Sequence, residues 1–339
     1  MTTVSIDHDA FRIDGEPTYA GRTWQDHKIE GLLMNSRMVQ ATFDDLNPAT
    51  RPKWTFPDGE PWDPDRNTDA FVAMIPEWRK AGLLAVTLNF QGGSPKGYSS
   101  LDEQVWENSA FAPNGELRPA WLDRMEKCIH ALDTNGMVAI LGYFYFGQDN
   151  RLDNEAAVLR ATDNATDWLL SRGYENLIIE TANEANVRYH HDLILPPRNH
   201  ELVLRIKERS GGRWPVGVSM GGGLLHPANL LEHEDVVFLH GNGQKDPNRI
   251  REMVRQTRDD PAYRGQPIVF NEDDHFGFDL PDNNCVAAVG SYASWGLFDW
   301  RMEGEGYEAG YQSVPTDWTS SHSRKAGFFR LLEDITGGL

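Results

Sequence analysis

Leu177-Ile178-Ile179-Glu180-Thr181-Ala182-Asn183-Glu184 and Pro267-Ile268-Val269-Phe270-Asn271-Glu272 are two short apolar runs, and each ends in Asn-Glu. Neither alternates polar with apolar residues, so each reads as a strand covered on both faces, the pattern of a parallel sheet under helices. Working outward, runs of the same kind recur at residues 30–36, 84–90, 137–145, 215–220, 236–240 and 292–298. Between them, residues 70–80, 122–132, 156–171, 200–210, 247–258, 284–289 and 323–335 fit a helical period with one apolar face. Strands alternating with helices through most of the chain predict an α/β fold, a (β/α)₈ barrel with elaborated loops at its C-terminal face.

The length of 339 residues fits a single barrel domain spanning 1–339, with residues 1–28 as an N-terminal hairpin-like cap. A formal net charge of −19 repels phosphate backbones, so no nucleic-acid partner is expected. No apolar stretch reaches the roughly 18 residues that cross a bilayer, so no membrane partner is expected either. The first residues show no basic region followed by an apolar core, which makes the cytoplasm the expected location. Cys128 and Cys285 lie in helical patterns outside any CxxC spacing and read as buried thiols. Oligomeric state is left open, a homo-oligomer included.

In a barrel, the C-terminal strand ends converge on one mouth. They bring Arg37 after the first strand, Asn89 and Gln91 after the second, and Tyr143, Tyr145 and Asp149 around the third. Asn183 and Glu184 end the fourth, and His240 and Asn242 the sixth. Glu272, Asp273 and His275 end the seventh, while Trp295 stands on the eighth. Amides and acids hydrogen-bond sugar hydroxyls, and aromatic faces pack on pyranose rings, so the expected partner is a carbohydrate substrate. Two carboxyl groups facing each other across a cleft are what glycosidic bond cleavage requires. The Gly-rich stretch at residues 92–97 matches no phosphate-binding pattern, and no cofactor or metal is expected.

Glu180-Thr181-Ala182-Asn183-Glu184 resembles the fourth-strand signature E-x-x-N-E of the clan of retaining (β/α)₈-barrel glycoside hydrolases, which includes cellulases, mannanases and β-glycosidases. Glu272 falls where that clan keeps its nucleophile, and Trp295 where it keeps a sugar-platform tryptophan. The clan usually follows its acid with proline, where this chain has Ala185, and here Asp273 and Asp274 follow Glu272 as alternative nucleophiles. The resemblance implies that Glu184 is the general acid/base and Glu272 the nucleophile of a double displacement. It implies that Asn183 binds the sugar 2-hydroxyl and that Trp295 floors the subsite at the cleavage point. His240, Tyr143 or Tyr145 would orient Glu272. A retaining mechanism expects carboxyl groups about 5–5.5 Å apart, and inversion about 6.5–9.5 Å.

Glu180, mid-strand, reads as a structural acid tied to a base such as Arg37. His190 and His191 read as loop residues, and Trp78, Trp121 and Trp168 as core. The segments at 43–65 and 190–200 are long enough to wall the cleft into a pocket for short oligosaccharides or glycosides, with Trp54 and Trp62 either in that wall or packing the loop. Two other readings remain. One is a metal-dependent barrel isomerase or hydrolase using Glu184, Asp273, Asp274, His240 or His275 as ligands. The other is a non-catalytic carbohydrate-binding barrel.

Overall fold

The computed structural model describes residues 1–98 and 104–339. Five short strands come first: β1 (Val4–Asp7), β2 (Ala10–Ile13), β3 (Glu16–Pro17), β4 (Thr23–Trp24) and β5 (His27–Lys28). The first three form an antiparallel meander, and the next two a small hairpin. Val4 N–H donates to the Glu175 carbonyl just before the fourth barrel strand begins, so the meander lies at the N-terminal end of the barrel, away from the mouth.

Eight parallel strands follow: β6 (Asn35–Arg37), β7 (Ala85–Asn89), β8 (Val138–Tyr145), β9 (Leu177–Asn183), β10 (Val216–Gly217), β11 (Val237–His240), β12 (Ile268–Asp273) and β13 (Ser294–Leu297). β13 pairs with β6, and a parallel bridge between Ser219 and Phe238 joins β10 to β11, which closes the circle. Every strand expected from the sequence is present. Around them run α1 (Pro64–Lys80), α2 (Pro119–Thr134), α3 (Glu155–Arg172), α4 (Pro196–Ser210), α5 (Ala228–Leu231), α6 (Pro247–Asp259), α7 (Asn284–Gly290) and α8 (Ser323–Thr336). Seven helices match the periodic segments; α5 has only 4 residues, too few to show a period.

Local chemistry sets the boundaries. Asp63 caps α1 by accepting from the N–H groups of Asp65 and Arg66, so the helix begins at Pro64, well before its first periodic residue. Asn154 caps α3 in the same way, and Gly173 ends it at φ +78°. Two glycines make room for polar side chains inside the barrel. A Cβ on Gly142 would meet Asn89 Oδ1, and one on Gly296 would meet Asn35 Oδ1.

The aromatic segment after β6 is not a free loop. Phe43, Trp54, Phe56 and Trp62 pack with Trp106 and Val314 into a second small core. Trp54 and Trp62 therefore hold the loop together. Trp78, Trp121 and Trp168 are core residues, and Cys128 and Cys285 are buried free thiols. Among the described residues no helix is long and apolar enough to cross a membrane.

Candidate active site

Glu184 follows β9 directly, and its backbone turns left-handed there, at φ +50°. A side chain larger than glycine is strained in that region, by on the order of 1–3 kcal/mol, and such strain clusters at functional sites. The turn is held by Ser219, whose hydroxyl accepts from Glu184 N–H at 2.9 Å and whose carbonyl accepts from Ala185 N–H. Glu184 Oε1 lies 2.9 Å from His240 Nδ1 at the end of β11.

Glu272 comes from β12. Its Oε1 accepts from Asn242 Nδ2 at 2.6 Å, and its Oε2 makes an ion-pair contact of 2.8 Å with Arg37 Nε. His240 Nδ1 is 3.7 Å from the same Oε2. Glu184, His240 and Glu272 each present an atom within 4.8 Å of the other two. The two glutamates are nearly covered, with 14% and 7% of their side chains exposed. Behind them, Arg37 Nη1 is 3.8 Å from Glu180 Oε2, and Glu180 Oε1 accepts from Asn271 Nδ2. One guanidinium thus sits between two buried carboxylates.

These contacts set the proton affinities. Burial pushes the Glu184 carboxyl up, but the hydrogen bond and charge of His240, with Arg37 behind, outweigh it and hold it below its ordinary value. Burial pushes Glu272 up, and Arg37 and His240 offset that only in part. Burial opposes the charge on His240, yet Glu272 and Glu184 together raise its affinity for a proton. These directions favour a charged His240 beside the Glu184 carboxylate, across the 2.9 Å contact.

Other expected site residues are buried in the barrel or in its loops. Arg37 is buried and meets the carboxylates of Glu180 and Glu272, as the Glu180 reading required. Gln91 is fully buried, with Oε1 accepting from Tyr145 N–H and Nε2 donating to Ser109 Oγ. Asn89 points into the barrel interior over Gly142. Tyr143 points the other way, its hydroxyl 3.1 Å from Thr166 Oγ1 on α3. Asp149 is buried and accepts from His190 N–H at 2.6 Å, which ties the loop after β9 to the loop after β8. His191 Nε2 lies against the carbonyls of Asp149 and Leu152, so neither histidine faces the carboxylates.

Asp273 does not point into the mouth. Its carboxylate accepts from Trp295 Nε1, Asn284 Nδ2 and His275 N–H, between β12 and α7. Asp274 accepts from Tyr98 Oη and Gly243 N–H. Trp295 is fully buried against Phe278 and Phe328 of the helix layer, and so does not floor the site as expected. The His275 backbone serves Asp273.

Asn183, His240 and Asn242 remain beside the carboxylates or on the strand ends that carry them, and Tyr145 ends the neighbouring β8 in register with Asn183. Asn183 is buried at the end of β9, and its Oδ1 accepts no hydrogen bond among the described residues. Tyr145 stacks on Phe146 with centroids 4.3 Å apart. The sequence reading missed Ser219, Tyr189 and Tyr98. Tyr189 Oη donates to the Asn183 carbonyl at 2.6 Å, and nothing in a loop tyrosine's local sequence announces such a bond.

No family model and no curated protein sequence matches the chain. Solved structures do match in fold. A "GH5-4 broad specificity endoglucanase" from Bacteroides salanitronis is 12% identical, with a TM-score of 0.59 over 90% of this chain and 93% of that one. A glycoside hydrolase family 5 mannosidase from Rhizomucor miehei is 11% identical, with a TM-score of 0.57 over 99% and 97%. A larger Bacteroides vulgatus protein is 14% identical, with a TM-score of 0.55 over 94% of this chain, which spans 59% of its length. At these identities the likeness establishes the (β/α)₈ barrel of the glycoside hydrolase structures, and the fold alone.

Proposed function

We propose that this protein is a retaining glycoside hydrolase acting on short oligosaccharides or glycosides. One observation carries the reading: carboxylate oxygens of Glu184 and Glu272 approach within 4.8 Å, at the ends of two strands of one barrel. That spacing suits a nucleophile and an acid working on one anomeric carbon, and leaves no room for the water that inversion places between them. The fold shared with an endoglucanase and a mannosidase supports it. The near-complete cover of both carboxylates supports a pocket for small substrates.

Glu272 is the nucleophile. Arg37 and Asn242 hold its two oxygens, and the Arg37 charge favours the ionised carboxylate against the pull of burial. Glu184 is the acid/base, acting as a pair with His240. An imidazolium beside a carboxylate and an imidazole beside a carboxylic acid hold the same single proton. Moving that proton across the 2.9 Å contact from Nδ1 to Oε1 readies Glu184 to protonate the leaving oxygen. Glu272 then attacks the anomeric carbon as the bond to that oxygen breaks. In the second half, Glu184 takes a proton from water, which displaces Glu272 and restores the configuration.

The spacing of Glu184, His240 and Glu272 would also suit three ligands of a divalent cation. The Arg37 guanidinium against Glu272 works against that reading, because it already supplies the positive charge. A panel of aryl glycosides and oligosaccharides, assayed with and without a chelator on wild type, Glu184→Gln and Glu272→Gln, decides between them. Hydrolysis with retained anomeric configuration by NMR, indifferent to chelator and lost in both variants, is expected. Activity that follows added metal, or survives both substitutions, overturns the proposal.

A further inference from the structure

The two sides of the mouth are built differently. On the side of Glu272 stands a wall. Tyr98 Oη donates to Asp274 Oδ2 at 2.7 Å, and Gly243 N–H donates to Asp274 Oδ1 at 2.8 Å. The Tyr98 ring meets Phe298 and Trp300 edge-on, with centroids 5.3 Å away in each case. The segment leading to it is fixed: Gln40 Nε2 donates to the Ser94 carbonyl at 2.8 Å, and Val314 N–H to the Pro95 carbonyl at 2.8 Å. Gly97, at φ +96°, lies so close to Trp300 that a Cβ would come within 2.8 Å of it. Residues 94–98 after β7 are thus tied to the loops following β11, β12 and β13 beside the nucleophile. Tyr98 keeps 42% of its surface exposed at the mouth, and partial burial, Asp274 and then Glu272 and Glu184 push its phenol up.

Beside the segment that leaves Glu184 there is space. A cavity of about 460 Å³ opens between the loops after β8 and β9, lined by Phe146, Asn150, Tyr189 and His190 among others. That volume lies within the ordinary range of small-molecule sites, about 300–1,000 Å³. Tyr189 belongs to the segment that leaves Glu184, and its hydroxyl is bonded to the carbonyl of Asn183.

Chemistry gives the two sides a direction. The nucleophile bonds to the sugar that stays, and the acid protonates the group that leaves. Building on the glycoside hydrolase reading, we propose that Tyr98, latched to Asp274, closes the cleft beyond a single sugar, so that the enzyme removes one residue at a time from the non-reducing end. The leaving portion lodges in the cavity of Phe146, Tyr189 and His190. Tyr98 sets the length of the released product and takes no part in bond cleavage.

The test uses gluco- and manno-oligosaccharide ladders labelled at the reducing end, with products sized by mass spectrometry, and aryl monoglycosides alongside. Wild type is expected to yield labelled products shortened by one unit. Tyr98→Ala, which removes ring and latch together, is expected to add products shortened by two units; Tyr98→Phe and Asp274→Ala, which each break the latch and keep the ring, are expected to add fewer of them. Internal cleavage by wild type overturns the proposal and leaves the hydrolase reading standing. So does a Tyr98→Ala protein, folded by circular dichroism, that still releases single units only. Failure to cleave any member of the panel overturns the hydrolase reading, and this proposal with it.

Discussion

Asn271 and Glu272 are neighbours in β12, yet both reach into the barrel interior: Asn271 Nδ2 meets Glu180, and Glu272 meets Arg37 and Asn242. A regular strand would send consecutive side chains to opposite faces. The register shows how the exception arises. Phe270 pairs with Trp295 and Asp273 with Leu297, so Asn271 and Glu272 together oppose Gly296. This is a β-bulge, which re-aims a side chain next to a site. It turns Glu272 into the mouth and sends Asp273 out toward α7.

The pairing of Glu184 with His240 has a pH signature. While His240 is present, the pair keeps its proton up to the raised affinity of the imidazole. His240→Gln leaves Glu184 to hold the proton alone. The alkaline limb of kcat/KM is then expected to move to lower pH, with the acid limb less affected. A limb that stays in place, or moves up, contradicts the shared proton.

Arg37 neutralises two buried carboxylates. Arg37→Met leaves Glu180 and Glu272 without their cation, and breaking a buried pair in this way costs about 3–5 kcal/mol. Urea unfolding should show that loss. Adding Glu180→Gln to Arg37→Met should recover part of it, because one uncompensated charge is removed. An additive double variant would show that Glu180 and Arg37 do not interact.

Burial pushes the Asp273 carboxyl up to about 7, against the N–H groups of Trp295, Asn284 and His275. Its folded affinity for a proton exceeds that of the unfolded chain, where a carboxyl titrates near about 4. Between those values the folded state holds the extra proton, so this group's contribution to stability falls as pH rises from about 4 to about 7 and is flat above. Asp273→Asn removes that dependence. The melting temperature of wild type relative to the variant should fall across the interval, and a constant difference would contradict the burial argument.

Trp295 packs against Phe278 and Phe328 and donates to Asp273. Trp295→Phe should cost about 1–3 kcal/mol, as for a buried acceptor losing a partner, and leave KM close to wild type. A large rise in KM without loss of stability would restore it as a sugar platform.

The barrel strands were legible because parallel strands under helices are apolar on both faces, a pattern local to each run. The two Asn-Glu endings were legible for the same reason. Side-chain facing was harder to read. Tyr143 and Trp295 sit on strands assigned correctly, but one step of pleat separates the interior from the helix layer, and a single apolar run does not show which is which. The bulge that redirects Asp273 leaves no local mark either. Tyr98 and Asp274 lie 176 positions apart, and only the folded barrel brings them together. Trp54 and Trp62 carried the same aromatic signal whether they faced substrate or each other, and packing with Phe43 and Trp106 decided it.

Covalent capture reads the nucleophile most directly. Wild type would be incubated with 2-deoxy-2-fluoro glycosides bearing a good leaving group, digested, and mapped by mass spectrometry. A glycosyl adduct on Glu272, with none on Glu184, Asp273 or Asp274, is the outcome expected here. An adduct on another carboxylate, or steady turnover with inverted configuration and no adduct, would contradict the assignment of Glu272 and the double displacement built on it.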